Sequence, residues 1–177
     1  KSIVNKIEKI TGKKPNFCNV DLLNRMALGW VFENGNYEAV FHLAGLKSVK
    51  ESVDKPLEYY RNNVVGTLNL IEAMKDFEVK KLIFASSATV YGEQEVPEFV
   101  ETMETGKNLS SPYAKTKYMI EEILKDFSLA NPTFEITSLR FFNPIGNDES
   151  GFIGEEPNGI PNNLMPYLAK VASGEID

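Results

Sequence analysis

One cysteine, one histidine and one tryptophan in 177 residues close off several common chemistries. Cys18 alone cannot form an internal disulfide; a single thiol fits a reducing, cytoplasmic compartment and reads as a small buried apolar residue. A site built on two histidines is impossible, and no other residues show metal-ligand spacing, so no metal is expected. A Ser-His-Asp triad would have to use His42. It sits in Val40-Phe41-His42-Leu43-Ala44, which reads as a buried parallel strand with a satisfied histidine, so hydrolase chemistry is not expected. No apolar run approaches bilayer length and no signal peptide opens the sequence, so no membrane association is expected. A net charge of −6 repels nucleic acid, although a local cationic cleft could bind an anionic small molecule.

What is present is apolar and aromatic material, 42% hydrophobic with 11 Phe and 7 Tyr, enough for one globular core. Apolar spacing predicts helices over 2–10, 21–33, 56–77 (Pro56 at its start), from Pro112, and from about 162 to 172. Strands are expected over 17–20, 38–44, 81–87 and 134–142. Strands separated by helices imply an α/β fold with a doubly wound parallel sheet covered on both faces, and ligands at the carboxyl ends of strands. Ala44-Gly45, Ser86-Ser87 and Asn143-Pro144-Ile145-Gly146 fall at such ends. The chain starts without methionine, and no Gly-x-Gly-x-x-Gly turn precedes its first helix, so an internal piece of a longer protein is expected, incomplete at both ends.

Ser111-Pro112-Tyr113-Ala114-Lys115-Thr116-Lys117 carries the chemistry. Ser111 reads as an N-cap and Pro112 as the first helical residue, which puts Tyr113 at the positive end of the helix dipole. Lys117, four residues on, shares its face. A phenol acting as a base near neutrality must titrate about three units below its usual value of about 10, which requires roughly 4 kcal/mol of phenolate stabilisation. The dipole supplies about 0.3 to 2 kcal/mol, leaving the rest to Lys117 and a cationic cofactor. Alone, such a pair decorates many helices. Ser87 could hydrogen-bond a substrate oxygen beside Tyr113 or merely cap a turn. The small residues of Ala44-Gly45-Leu46-Lys47 could admit a flat cofactor or form a plain turn. Asn62-Asn63 sits where asparagine is unfavourable, and Asn162-Asn163 suits a pyrophosphate or uracil at a helix start.

With those residues stand Glu51-Ser52-Val53, Lys55-Pro56-Leu57-Glu58-Tyr59-Tyr60, Asn62-Asn63-Val64, Gly66-Thr67 and Ser86-Ser87-Ala88-Thr89-Val90-Tyr91-Gly92. Arg140-Phe141-Phe142-Asn143-Pro144 and Gly159-Ile160-Pro161-Asn162-Asn163-Leu164-Met165-Pro166-Tyr167 follow. The chain resembles the Rossmann-like extended short-chain dehydrogenase/reductases, and among them the UDP-glucose (UDP-galactose) 4-epimerase family, from about residue 15 onward. Tyr-x-x-x-Lys marks only the superfamily; the blocks at 55–60 and 159–167 are far more specific.

The resemblance implies NAD as cofactor and UDP-glucose and UDP-galactose as substrates. Residues 1–145 would be the central part of the NAD-binding domain and 146–177 the beginning of the substrate-binding region. Tyr113 would remove the sugar 4-hydroxyl proton, Ser87 would share that hydrogen bond, and Lys117 would hold the nicotinamide ribose and depress the Tyr113 pKa. Asp21 and Leu22 would lie against the adenine, with Leu43, Ala44, Gly45 and Lys47 along the dinucleotide and Asn63 and Phe142 completing the pocket. Asn143, Asn163 and Leu164 would contact the UDP-sugar. The 56–77 and Pro112 helices resemble those of a dimer interface, so a homodimeric parent is expected. Phe141 stands where many members carry Tyr, so a hydroxyl contact is lost or unnecessary there. A 4,6-dehydratase would need an acidic pair after Thr89, where Val90-Tyr91 stand. A UDP-glucuronate decarboxylase and a non-catalytic NAD-binding regulator are the other rivals.

Overall fold

The computed structural model describes residues 2–155, 161 and 163–176. Gly159, Ile160 and Asn162, singled out above, lie outside them. The chain forms two compact units, Asn19–Phe142 and the segments Lys1–Cys18 with Asn143–Asp177.

The larger unit is built on three parallel strands in the order β1 (Ala39–His42), β2 (Lys81–Ser87), β3 (Glu135–Phe141). Val40 faces Leu82 and Leu82 faces Ile136, so these three side chains share one side of the sheet. Against that side pack α2 (Arg25–Glu33), α5 (Gly66–Asp76) and α6 (Pro112–Ala130). Leu28, Leu70, Ile71, Met74, Leu82, Phe84, Ile120 and Leu124 form the core. The two β-to-β crossovers step the same way across the sheet, and right-handed connections then put both of their helices on one side. On the opposite side the register row of Phe41 and the row of Leu139 stay open; Phe41 is 66% and Leu139 42% exposed. The parallel α/β class is the expected one, and the helices described for this unit pack on one side of its sheet.

Four elements depart from the sequence reading. Residues 17–20 form no strand; the adjoining turn is held by side chains, with Leu23 N donating to Asp21 Oδ1 and Asn69 Nδ2 to Leu22 O. The helix expected from 21 begins at Arg25, because Asn24 caps it by accepting from Ala27 N. A short helix, α3 (Val49–Asp54), is capped by Ser48; six residues are too few for a periodic signal. The helix expected over 56–77 runs as α4 (Pro56–Tyr59), a π turn at Tyr60–Val65, and α5. Among the described residues no helix is long and apolar enough to cross a membrane.

In the smaller unit, α1 (Ser2–Thr11) ends at Gly12, whose φ of +70° suits a residue without a Cβ. The last helix, α7 (Leu164–Ala172), starts after Asn163. Cys18 is only half-buried, not the core residue expected.

Candidate active site

Three side chains expected to act together meet at the carboxyl end of β2. Ser111 caps α6 by accepting from Ala114 N (3.2 Å), and Pro112 occupies the first turn. Tyr113 and Lys117 therefore point from successive turns toward β2. The Ser87 side chain lies near enough to the Tyr113 phenol to favour its ionised form. Ser87 Oγ accepts from Thr89 N at 3.3 Å and lies 3.0 Å from Thr89 Oγ1, which starts a 3-10 turn over Ala88–Tyr91. Lys117, 7% exposed, donates from Nζ to Ala85 O at 2.7 Å and sits 4.7 Å from the Phe84 ring centroid and 5.9 Å from that of Tyr113.

Burial raises the Tyr113 pKa, with the nearby Ser87 side chain opposing the rise, and lowers that of Lys117 to about 8. The expected depression of the phenol by Lys117 is thus not realised here. The ammonium is spent on the Ala85 carbonyl and the Phe84 face, while the phenol is desolvated.

The segment after β1 is shaped by Asn63 in the π turn. Its Oδ1 accepts from Leu46 N (2.8 Å), and Nδ2 donates to Leu46 O (3.0 Å) and Thr116 Oγ1 (3.2 Å). One extra residue per turn rotates this buried amide onto both backbone groups of Leu46. Leu43, Ala44, Gly45 and Lys47 remain exposed, and Asp21, Leu22, Ala44, Gly45 and Asn62 line one open cleft. A Cβ on Gly45 would stand 3.1 Å from Asn63 Oδ1, so a larger residue there would fit only if the Asn63 amide gave by a few tenths of an ångström. Phe142, just past the end of β3, lies against Phe99 with ring centroids 6.0 Å apart. In the other unit Asn143 and Leu164 are exposed, and Asn163 Nδ2 donates to Glu155 Oε1 (3.2 Å).

His42 is buried, as expected, with Nε2 2.8 Å from Thr67 Oγ1. Desolvation, then the nearby Lys117 charge, lowers its pKa to about 4, which keeps the imidazole neutral at pH 7. Among the described residues no group of His, Cys, Asp and Glu is placed to hold a metal ion. Two features escaped the sequence reading. Thr116 holds Asn63, and Glu121 pairs with Arg140 through Arg140 Nη2 at 2.8 Å. Glu121 lies one turn past Lys117 on the same helix face, a spacing that could have flagged it.

The chain matches the NAD dependent epimerase/dehydratase family over residues 2–175. It is 54% identical over 97% of its length to UDP-glucose 4-epimerase of Yersinia enterocolitica and 50% identical over 98% to that of Bacillus subtilis, covering 51% of each. UDP-glucose 4-epimerase from Bifidobacterium longum, solved in complex with NAD+ and UDP, superposes with a TM-score of 0.94 at 47% identity, over 98% of this chain and 51% of that one. The Stenotrophomonas maltophila enzyme, with bound NAD and formylated UDP-arabinopyranose, gives 0.93 at 42% identity, over 99% and 52%. The chain thus spans about half the length of the curated relatives it matches. With its parallel strands and its Ser-Tyr-Lys cluster at a strand end, it belongs to the NAD dependent epimerase/dehydratase family.

Proposed function

We propose that the chain is part of a UDP-glucose 4-epimerase that interconverts UDP-glucose and UDP-galactose by transient NAD-dependent oxidation at sugar C4. The carrying observation is the convergence of Ser87, Tyr113 and Lys117 at the end of β2. The bare, exposed Ala44-Gly45 backbone, held by Asn63, fits a flat dinucleotide. Bound NAD supplies reversible hydride acceptance at C4. The residues assigned to hold it are Asp21, Leu22, Leu43, Ala44, Gly45, Lys47, Asn63, Tyr113, Lys117 and Phe142.

Tyr113 takes the 4-hydroxyl proton as the hydroxyl-bearing carbon is oxidised, leaving a 4-keto sugar, and returns it after the sugar has turned over. Ser87 orients the phenol and the substrate oxygen. Burial favours the neutral Tyr113 phenol, so positive charge must be brought to it; Lys117 carries one such charge once it turns from Ala85 O. Asn143, Asn163 and Leu164 are assigned to the UDP-sugar. Residues 1–145 are read as the central part of the NAD-binding domain and 146–177 as the start of the substrate-binding region, in a cytoplasmic, homodimeric parent. Val90 and Tyr91, both buried, follow Thr89, so the acids that a 4,6-dehydratase needs there are absent.

In the complete enzyme Tyr113→Phe is expected to lower kcat at least about 100-fold with NAD still bound. Full activity in that variant removes the base from this scheme.

A further inference from the structure

Glu121 and Arg140 are more buried than an ordinary surface ion pair, with side chains 10% and 20% exposed. Arg140 Nε lies 3.1 and 3.2 Å from the two carboxylate oxygens, and Nη2 donates to Oε2 at 2.8 Å. Ser86 Oγ donates to Glu121 Oε1 at 2.5 Å. Ser86 and Arg140 are register partners on β2 and β3, so one carboxylate from α6 grips both strands at the same rung. The next residue on β2 is Ser87. Two turns back along α6 stands Tyr113.

Arg140 reaches further. Nη1 donates to Glu101 O at 3.1 Å, and the guanidinium lies 4.9 Å from the Tyr91 ring centroid, over the 3-10 turn that Ser87 caps. Four elements around Ser87 and Tyr113 are tied to one charge pair. A buried pair of this kind adds little net stability, because desolvating two ions offsets most of their attraction and apolar side chains of similar size pack as well. Its directional contacts, in contrast, leave α6 a single position along the sheet.

We propose that Glu121 and Arg140 are positioning residues that set the Ser87–Tyr113 contact by fixing α6 against the β2–β3 rung at Ser86. The inference rests on the epimerase reading above for its catalytic consequence, while the contact itself can be measured without turnover. The test uses the complete enzyme with Glu121→Gln, Ser86→Ala and the paired change Glu121→Leu with Arg140→Met. The paired variant leaves no unpaired buried charge, so it is expected to fold with a Tm at or above wild type. All three should lower kcat by roughly 10- to 100-fold with KM for the nucleotide sugar within about twofold, as expected of misplaced reacting groups. Ultraviolet difference titration, with Tyr113→Phe as the reference, should show the Tyr113 phenol ionising at higher pH in each variant, since the support of the Ser87 side chain for the phenolate is loosened. A folded paired variant with wild-type kcat and an unmoved Tyr113 titration would overturn the proposal. A moved titration in an enzyme whose Tyr113→Phe form stays fully active would keep the positioning role and sink the epimerase base instead.

Discussion

His42 is neutral because its imidazole is desolvated next to a buried ammonium, and this ties the stability of the fold to pH. Its folded pKa of about 4 lies below the unfolded value of 6.5. Below pH 6.5 the unfolded chain therefore takes up a proton that the folded chain refuses. The stabilisation from this residue is complete above that value, fades as the pH falls toward 4 and levels off below it, a change of roughly 3 kcal/mol. Urea unfolding from pH 7 to 4 should show this slope, and His42→Gln should remove that component; equal slopes in the two proteins would contradict it. The strand environment of His42 was legible from its apolar neighbours. The state of Tyr113 was not. Helix spacing put Lys117 on its face, but only the tertiary structure supplies the Ala85 carbonyl and the Phe84 ring that hold the ammonium.

At the scale of elements, the connections around the site decide more than the regular helices do. The π turn at Tyr60–Val65 aims Asn63 at Leu46, and the 3-10 turn at Ala88–Tyr91 lets Ser87 face Tyr113. That second turn is closed by Gly92, whose φ is +70° and whose added Cβ would lie 1.8 Å from Lys107 O. Gly92→Ala is expected to cost roughly 2 to 5 kcal/mol, the sum of left-handed strain and a backbone clash. Chemical denaturation would read this directly, and a loss under about 1 kcal/mol would mean that the loop gives way freely. Helix periodicity carries no sign of a π turn, because one inserted residue leaves the apolar pattern on either side nearly intact. The Asn62-Asn63 doublet was the only local hint. Capping residues read well by contrast: Ser111 and Pro112 start α6 as expected, since a cap is a purely local bond.

On the scale of the whole molecule, the larger unit shows a sheet with one packed side and one open side. Phe41, Leu139 and Phe141 are exposed on register rows of the open side. Parallel sheets bury both sides in the folds that use them, and a contiguous apolar surface seeks cover. The 177-residue chain produced by itself should therefore self-associate as its concentration rises, and Phe41→Lys with Leu139→Lys should reduce this in light scattering. A chain that stays monomeric at all concentrations, with unchanged behaviour in the double variant, would show that this side is tolerated in water.

Local chemistry in the sequence determined the alternation of strands and helices, the start of α6, the burial of His42 and the candidacy of Ser87, Tyr113 and Lys117, because periodicity, caps and spacing act over a few residues. Tertiary structure alone decided the partner of Lys117, the grip of Asn63 on Leu46, and the Ser86–Glu121–Arg140 contact. Each of these joins residues at least 17 positions apart. Such contacts depend on strand order and register, which no local pattern in the chain encodes.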